Sequence, residues 1–119
     1  MNIVILGYTG LIGSTILGYL SKDKSFNIIC IGRKIQKKPY INSRIKYFKW
    51  DYKTFKQSEL SFLKTADIII NCVGKTGELE SEIENININF IKNFLNFSKS
   101  QKLKFRFIHI SSVSVYGFN

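Results

Sequence analysis

Three glycines at intervals of three residues are the feature of the sequence best suited to chemistry. They lie between a short apolar run and a segment with helical spacing, and the motif reads Gly7-Tyr8-Thr9-Gly10-Leu11-Ile12-Gly13. In that position Gly7 and Gly10 let the backbone turn tightly and approach a pyrophosphate, whose charge suits the free N–H groups of a helix start. Gly13 lets the helix pack closely on the strand. The alternative is a glycine-rich turn that binds no ligand.

A basic dipeptide follows the second apolar run, about 20 residues after the motif, where dinucleotide-binding folds read the adenosine ribose. A carboxylate there binds a 2′-hydroxyl, whereas an arginine binds a 2′-phosphate. This sequence has Gly32-Arg33-Lys34 and no acid at that place. Because Arg33 can make forked hydrogen bonds to a phosphate, the sequence favours NADP(H) over NAD(H). The alternative is that Arg33 is one more solvated cation in a basic loop.

Three further polar residues are candidates for specific roles. Asp51 is the only acid between residues 33 and 56 and can accept a hydrogen bond from an adenine amino group, although charge balance with Lys49 and Lys53 explains it nearly as well. Asn87 lies on the apolar face of a predicted helix, where a partly buried amide needs a specific partner. His109 lies inside a predicted strand and is the only histidine, so we interpret it as structural.

Alternating strand and helix patterns surround these residues. Short apolar runs predict strands at 2–7, 26–31, 45–50, 66–73 and 105–110, and helical spacing predicts helices at 11–20, 55–63 and 83–97. Such alternation predicts an α/β fold, a Rossmann-like doubly wound parallel sheet of about five strands in the order 3-2-1-4-5 with flanking helices. Cys30 and Cys72 then lie on strands two and four, roughly 9 to 10 Å apart, too far for a disulfide.

The composition fits one globular unit. The chain has 119 residues, 45% of them apolar, which predicts a single domain over residues 1–119. Its apolar runs are far shorter than a membrane span and no signal peptide precedes them, so we expect a cytoplasmic protein without a membrane partner. The net charge of +10 favours an anionic partner without choosing which.

Four segments carry a resemblance to a known family. They are the glycine motif, Trp50-Asp51-Tyr52, Asn71-Cys72-Val73-Gly74 and Ser111-Ser112-Val113-Ser114-Val115-Tyr116-Gly117. Together they resemble the extended short-chain dehydrogenase/reductases, specifically the NAD-dependent epimerase/dehydratase family of nucleotide-sugar enzymes. The resemblance implies that residues 7–13 form the cofactor-binding turn, with the three glycines at the pyrophosphate. It also implies that Asp51 and Tyr52 contact the adenine, and that Asn71, Cys72, Val73 and Gly74 line the ribose and nicotinamide side.

The resemblance also assigns Asn87 to the family asparagine of the fourth helix and Ser112 to the catalytic serine. Val73 replaces a usual alanine, which narrows the space beside the cofactor. The general base of the family is the tyrosine of a Y-x-x-x-K element some tens of residues after V-Y-G, whereas this sequence ends at Asn119. We therefore expect an incomplete dinucleotide-binding domain, truncated after strand five and without its substrate domain. We expect it to be inactive alone on the nucleotide sugar that a full-length form would bind.

Three functional hypotheses remain open. The first is the dinucleotide-binding part of an NAD(P)-dependent nucleotide-sugar epimerase, dehydratase or reductase. The second is a non-catalytic NADP(H)-binding module that senses redox state or regulates a partner. The third, disfavoured, is nucleic-acid binding through the basic stretch 33–56, whose interleaved aromatics are Tyr40, Tyr47, Trp50 and Tyr52. Truncation would also leave strand five as an exposed edge bearing Phe105, Phe107 and Ile110, a site for self-association.

Overall fold

The computed structural model describes residues 1–32, 38–50, 62–73 and 90–110. Within these residues there are five strands and two α-helices. The strands are β1 (Asn2–Leu6), β2 (Asn27–Gly32), β3 (Ile45–Lys49), β4 (Ile68–Asn71) and β5 (Arg106–His109). The helices are α1 (Leu11–Leu20) and α2 (Phe90–Ser100), and residues 62–65 form a 3₁₀ turn.

All five strands are parallel and lie in the order β3-β2-β1-β4-β5. The register places Ile5 opposite Cys30 on β2 and opposite Ile70 on β4. The predicted Rossmann-like doubly wound topology is therefore confirmed. As expected, β2 and β4 flank β1, and both Cys30 and Cys72 are free thiols.

The sheet is covered on both faces, which explains why β1 is apolar at successive positions. On one face, Val4 and Leu6 of β1 join Phe94 of α2 in a buried cluster. On the other face, Ile3 and Ile5 join Leu17 of α1. Neighbouring side chains of a strand point to opposite faces of the sheet, so alternate residues of β1 pack into the two different clusters.

Strand ends agree with the predictions to within two residues. The largest difference is at β4, predicted over 66–73 and observed over Ile68–Asn71. Asp67 precedes the strand, and its carboxylate accepts a hydrogen bond from the Asn2 N–H at 2.7 Å. Most of the predicted helix 55–63, and the first residues of the predicted helix 83–97, lie outside the described residues.

None of the helices in the described part of the chain has the length and apolar character that crossing a membrane requires.

Candidate functional site

The sheet has one topological switch point, between β1 and β4. From β1 the chain proceeds outward through β2 and β3, and then returns to the other side of β1 to form β4 and β5. In open parallel sheets the crevice outside the carboxyl ends of the strands at such a point is where ligands bind. Gly7 follows β1 there, and Cys72 and Val73 follow β4.

Gly7 makes the tight turn that the sequence predicts. Its φ is +78°, a left-handed backbone conformation that other residues rarely adopt. A Cβ at this position would lie 3.0 Å from the Val73 nitrogen and 3.0 Å from Val73 Cγ2. The turn after β1 therefore packs directly against the turn after β4, and the Val73 side chain occupies the space beside Gly7.

Gly13 brings the first turn of α1 onto the end of β1. A Cβ there would overlap the Gly7 carbonyl oxygen and lie 2.9 Å from Tyr8 Cα. Only a residue without a side chain allows this approach. The close packing fixes where the amino-terminal end of α1 points.

Gly10 is the N-cap of α1 and lies on the surface. It has no side chain to accept hydrogen bonds from the first amides of the helix, and a Cβ here would have only the Gly7 carbonyl oxygen, 3.8 Å away, within 4 Å. The first residues of α1 carry no acidic side chain, and Leu11 is 85% exposed. Uncapped amides at the positive end of a helix suit a phosphate group, so this turn fits a dinucleotide pyrophosphate.

The Tyr8 side chain points away from this surface. It is 1% exposed, and its ring centroid lies 5.3 Å from that of Tyr47. Burial, together with Cys30 and Tyr47, raises the pKa of the Tyr8 hydroxyl. Any contact of Tyr8 with a cofactor would therefore be made by its main chain, whereas Thr9 and Ile12 are exposed.

Asn71 is fully buried at the end of β4, and both ends of its amide are bonded. Its Oδ1 accepts the Val73 N–H at 3.1 Å, and its Nδ2 lies 3.1 Å from His109 Nδ1. Sequence reasoning assigned His109 only a general structural role and missed this pair. The two residues are register partners on the adjacent strands β4 and β5. Their contact could be predicted only after the alignment of these strands was known.

Neither cysteine is activated. Burial raises the pKa of the Cys30 thiol to about 12 and that of the Cys72 thiol to about 11. Both thiols are therefore protonated at neutral pH, and neither is suited to act as a nucleophile.

Several predicted site residues lie outside the described part of the chain. They are Arg33, Asp51, Tyr52, Gly74, Asn87 and Ser112. The described site therefore brings together the glycine turn and Asn71, Cys72 and Val73, while the residues assigned to the 2′-phosphate, the adenine and catalysis stay predictions.

The described aromatics of the basic stretch have structural contacts. Trp50 is 2% exposed and packs against Phe62 and Phe94, with ring centroids 6.4 and 6.2 Å apart. The Tyr47 hydroxyl donates to the Tyr40 carbonyl oxygen at 2.8 Å and accepts the Tyr40 N–H at 3.0 Å. A row of exposed rings on which nucleic-acid bases could stack is not formed by these three residues.

Comparison with known proteins agrees with this geometry. A family model described as the NAD dependent epimerase/dehydratase family matches residues 3–119. The structure is similar to that of UDP-glucuronic acid 4-epimerase from Bacillus cereus in complex with NAD, with 26% identity and a TM-score of 0.79. That match covers 100% of this chain and 42% of the epimerase chain.

Two other solved structures share the fold at lower identity. The oxidoreductase ylbE from Lactococcus lactis is 24% identical with a TM-score of 0.76, and the match covers 99% of this chain and 51% of that chain. A short chain dehydrogenase from Leptospira borgpetersenii with bound NAD⁺ is 21% identical with a TM-score of 0.70, covering 99% and 54%. A comparison with curated proteins gives no match. Because the family model spans almost every residue, the chain belongs to the NAD dependent epimerase/dehydratase family.

Proposed function

We propose that this chain is the dinucleotide-binding part of an NAD(P)-dependent epimerase, dehydratase or reductase that acts on nucleotide sugars. The observation that carries the proposal is the Gly7–Gly13 turn, which places the uncapped start of α1 at the switch point of the sheet. The B. cereus epimerase, whose structure contains NAD, spans more than twice the length of this chain. Substrate and activity therefore belong to the proposal, as does the cytoplasmic location expected from the sequence.

In this proposal the Gly7–Gly13 turn and the turn after β4 bind different parts of the cofactor. The amides at the start of α1 bind the pyrophosphate, and exposed Gly10 leaves room for it. Residues Asn71–Gly74 lie beside the ribose and nicotinamide. When bound, the nicotinamide accepts and returns a hydride, and the protein holds the reacting carbon against it.

The catalytic part of the proposal rests on Ser112, which would hydrogen-bond the reacting sugar hydroxyl. In the family the tyrosine and lysine come from a Y-x-x-x-K element some tens of residues after V-Y-G, whereas the 119 residues contain this pattern only at Tyr52 and Lys56, before V-Y-G. We therefore expect the purified 119-residue chain to leave UDP-sugars unchanged in the presence of NAD⁺, NADP⁺, NADH or NADPH. Measurable epimerisation, dehydration or reduction would contradict this expectation.

In this proposal Arg33 binds the 2′-phosphate of NADP(H) and makes the chain prefer NADP(H) to NAD(H). The test is a calorimetric titration of the chain with NADPH and with NADH, repeated for Arg33→Ala and for Lys34→Ala as a matched loss of one cation. Loss of a hydrogen bond to a charged group costs about 1.5 to 3 kcal/mol, so NADPH should bind Arg33→Ala about 10- to 100-fold more weakly, near the NADH affinity. Lys34→Ala should bind NADPH almost normally.

Two results would contradict the preference. Equal losses in Arg33→Ala and Lys34→Ala would make Arg33 an ordinary solvated cation, and tighter binding of NADH would reverse the preference. A parent reading frame without a Y-x-x-x-K element in the tens of residues after V-Y-G would favour the non-catalytic NADP(H)-binding module over the enzyme fragment.

A further inference from the structure

The pair formed by Asn71 and His109 links the last two strands at the edge of the candidate site. Asn71 has no exposed surface, whereas His109 lies at the exposed end of β5. A buried amide without partners is costly, and this one has a partner at each end. The pair is therefore a specific feature of the site and calls for a functional explanation.

The hydrogen bonds determine which atoms face each other. Because Oδ1 of Asn71 accepts the Val73 N–H, the amide nitrogen of Asn71 must face His109. An NH₂ group only donates, so Nδ1 of His109 must present a lone pair. In the tautomer that meets this requirement, the ring proton is on Nε2.

The same amide positions the turn that follows β4. The Asn71 side chain holds the Val73 N–H, and the Cys72 N–H donates to the Leu6 carbonyl oxygen at 2.8 Å. The Val73 nitrogen in turn lies 3.0 Å from where a Cβ of Gly7 would be. A displacement of the Asn71 amide would therefore be transmitted to the backbone that supports the Gly7 turn.

We propose that His109 is a positioning residue of the dinucleotide site: its Nδ1 holds the Asn71 amide, and Asn71 holds the turn of residues 71–73 against Gly7. This inference rests on the function proposed above and names a residue that acts on the site without touching the cofactor. Ile108, the neighbour of His109 on β5, should not have this role, because its side chain points to the opposite face of the sheet and is 39% exposed.

The test compares three variants of the 119-residue chain. His109→Asn keeps an acceptor, because Oδ1 of asparagine can take the place of Nδ1. His109→Leu removes the acceptor and leaves a buried donor unpaired, and Ile108→Ala is the control for a change on β5. NADPH and NADH affinities are measured by calorimetry, with urea unfolding to establish that each variant folds.

We expect His109→Leu to bind the preferred dinucleotide about tenfold more weakly, as an unsatisfied buried donor implies. His109→Asn should stay within about threefold of the wild type and Ile108→Ala should match it, since both retain the Asn71 contact. Equal affinity of His109→Leu and the wild type would overturn the inference, as would a loss in His109→Asn as large as that in His109→Leu.

A second measurement does not depend on the variants. In ¹⁵N spectra of the wild-type chain without ligand at alkaline pH, His109 should show a protonated Nε2 and an unprotonated Nδ1. A proton on Nδ1 would overturn the inference. Failure of the wild-type chain to bind either dinucleotide would instead remove the proposed function and the inference together, whereas normal binding by both wild type and His109→Leu would remove the inference alone.

Discussion

Gly10 and Gly13 belong to one motif but have different environments, and substitution by alanine should separate them. A Cβ at position 13 would overlap the Gly7 carbonyl oxygen, so Gly13→Ala should destabilise the fold by about 1 to 3 kcal/mol. A Cβ at position 10 would have its nearest neighbour at 3.8 Å, so Gly10→Ala should fold almost normally. It should nevertheless bind NADPH weakly, because the methyl group would occupy room that the proposal gives to the pyrophosphate. Urea unfolding and calorimetry measure the two effects. Equal stability of the two variants would contradict this assignment.

The thiols of Cys30, which is buried, and Cys72, which is half-buried, should make stability fall at alkaline pH. The pKa of Cys30 is raised from 9.0 to about 12, and that of Cys72 from 9.0 to about 11, both by burial. The folded state therefore favours the protonated thiols. Their contribution is fully present below about pH 9 and is lost as the pH rises toward 11 and 12.

Urea unfolding of the wild type and of Cys30→Ala between about pH 8 and about pH 10.5 measures this effect. The slope of stability against pH should be shallower in the variant. Iodoacetamide should label Cys30 slowly in the native chain at about pH 8 and rapidly in urea. Equal labelling rates in the native and unfolded chain would contradict the burial of Cys30.

For single residues, the sequence predicted local backbone geometry but not hydrogen-bond partners that are distant along the chain. The positive φ of Gly7 and the close approach at Gly13 follow from a motif of seven consecutive residues, so they were predictable. The Asn71–His109 hydrogen bond joins residues 38 positions apart. It depends on strand register, which neither residue type reveals.

Phe94 organises the face of the sheet that α2 covers. It is fully buried, and its ring centroid lies 6.0 Å from that of Phe105 and 5.5 Å from that of Phe107. Phe94→Ala should therefore destabilise the chain by about 3 to 5 kcal/mol, a large part of the stability of a small domain. Leu95→Ala, at a neighbouring position that is 42% exposed, should cost far less. Similar urea midpoints for the two variants would contradict this packing.

Elements were predictable where their hydrophobic pattern was complete. Helix α1 has the predicted bounds, because the stripe of Ile16, Leu17 and Leu20 faces the sheet. Strand β4 is shorter than its apolar run, because Ala66 is buried before the strand begins and Asp67 bonds to Asn2. Such tertiary contacts decide where a strand ends, and the apolar run alone does not contain them.

Among the described strands β5 lies at one edge of the sheet, and we expect this edge to mediate self-association. The Arg106 N–H donates to the carbonyl oxygen of Asp67, just before β4, and the Ile110 N–H donates to that of Asn71 in β4. The alternate amides of Phe107 and His109 therefore face away from β4. Phe105, Phe107 and Ile110, expected to be exposed, are half-buried, and the exposed apolar residue of β5 is Ile108. The packing of the two phenylalanines on Phe94 explains this difference.

Sedimentation at increasing concentration tests this prediction. We expect the wild-type chain to form dimers or larger species and Ile108→Lys, which places a charge on the edge, to form fewer. Ser100→Lys, which adds the same charge at an exposed position on α2, is the control. A chain that stays monomeric at every concentration would contradict the prediction.

The strand order of the whole molecule was predictable because few arrangements are available to alternating strands and helices with right-handed crossovers. The order then places the carboxyl ends of β1 and β4 together, which made the location of the candidate site predictable as well. The residues proposed to choose between cofactors and to act in catalysis, Arg33 and Ser112, follow β2 and β5 in the sequence and lie outside the described residues.

The central claim is that a dinucleotide binds at the glycine turn between β1 and β4. The most direct measurement is a titration of the ¹⁵N-labelled chain with NADP⁺, followed through its backbone amide resonances. We predict saturable shifts that are largest at Gly7, at Gly10 to Gly13 and at Cys72 and Val73, and that are lost in Gly10→Ala. The absence of shifts, or shifts confined to the basic residues of β3, would contradict the claim.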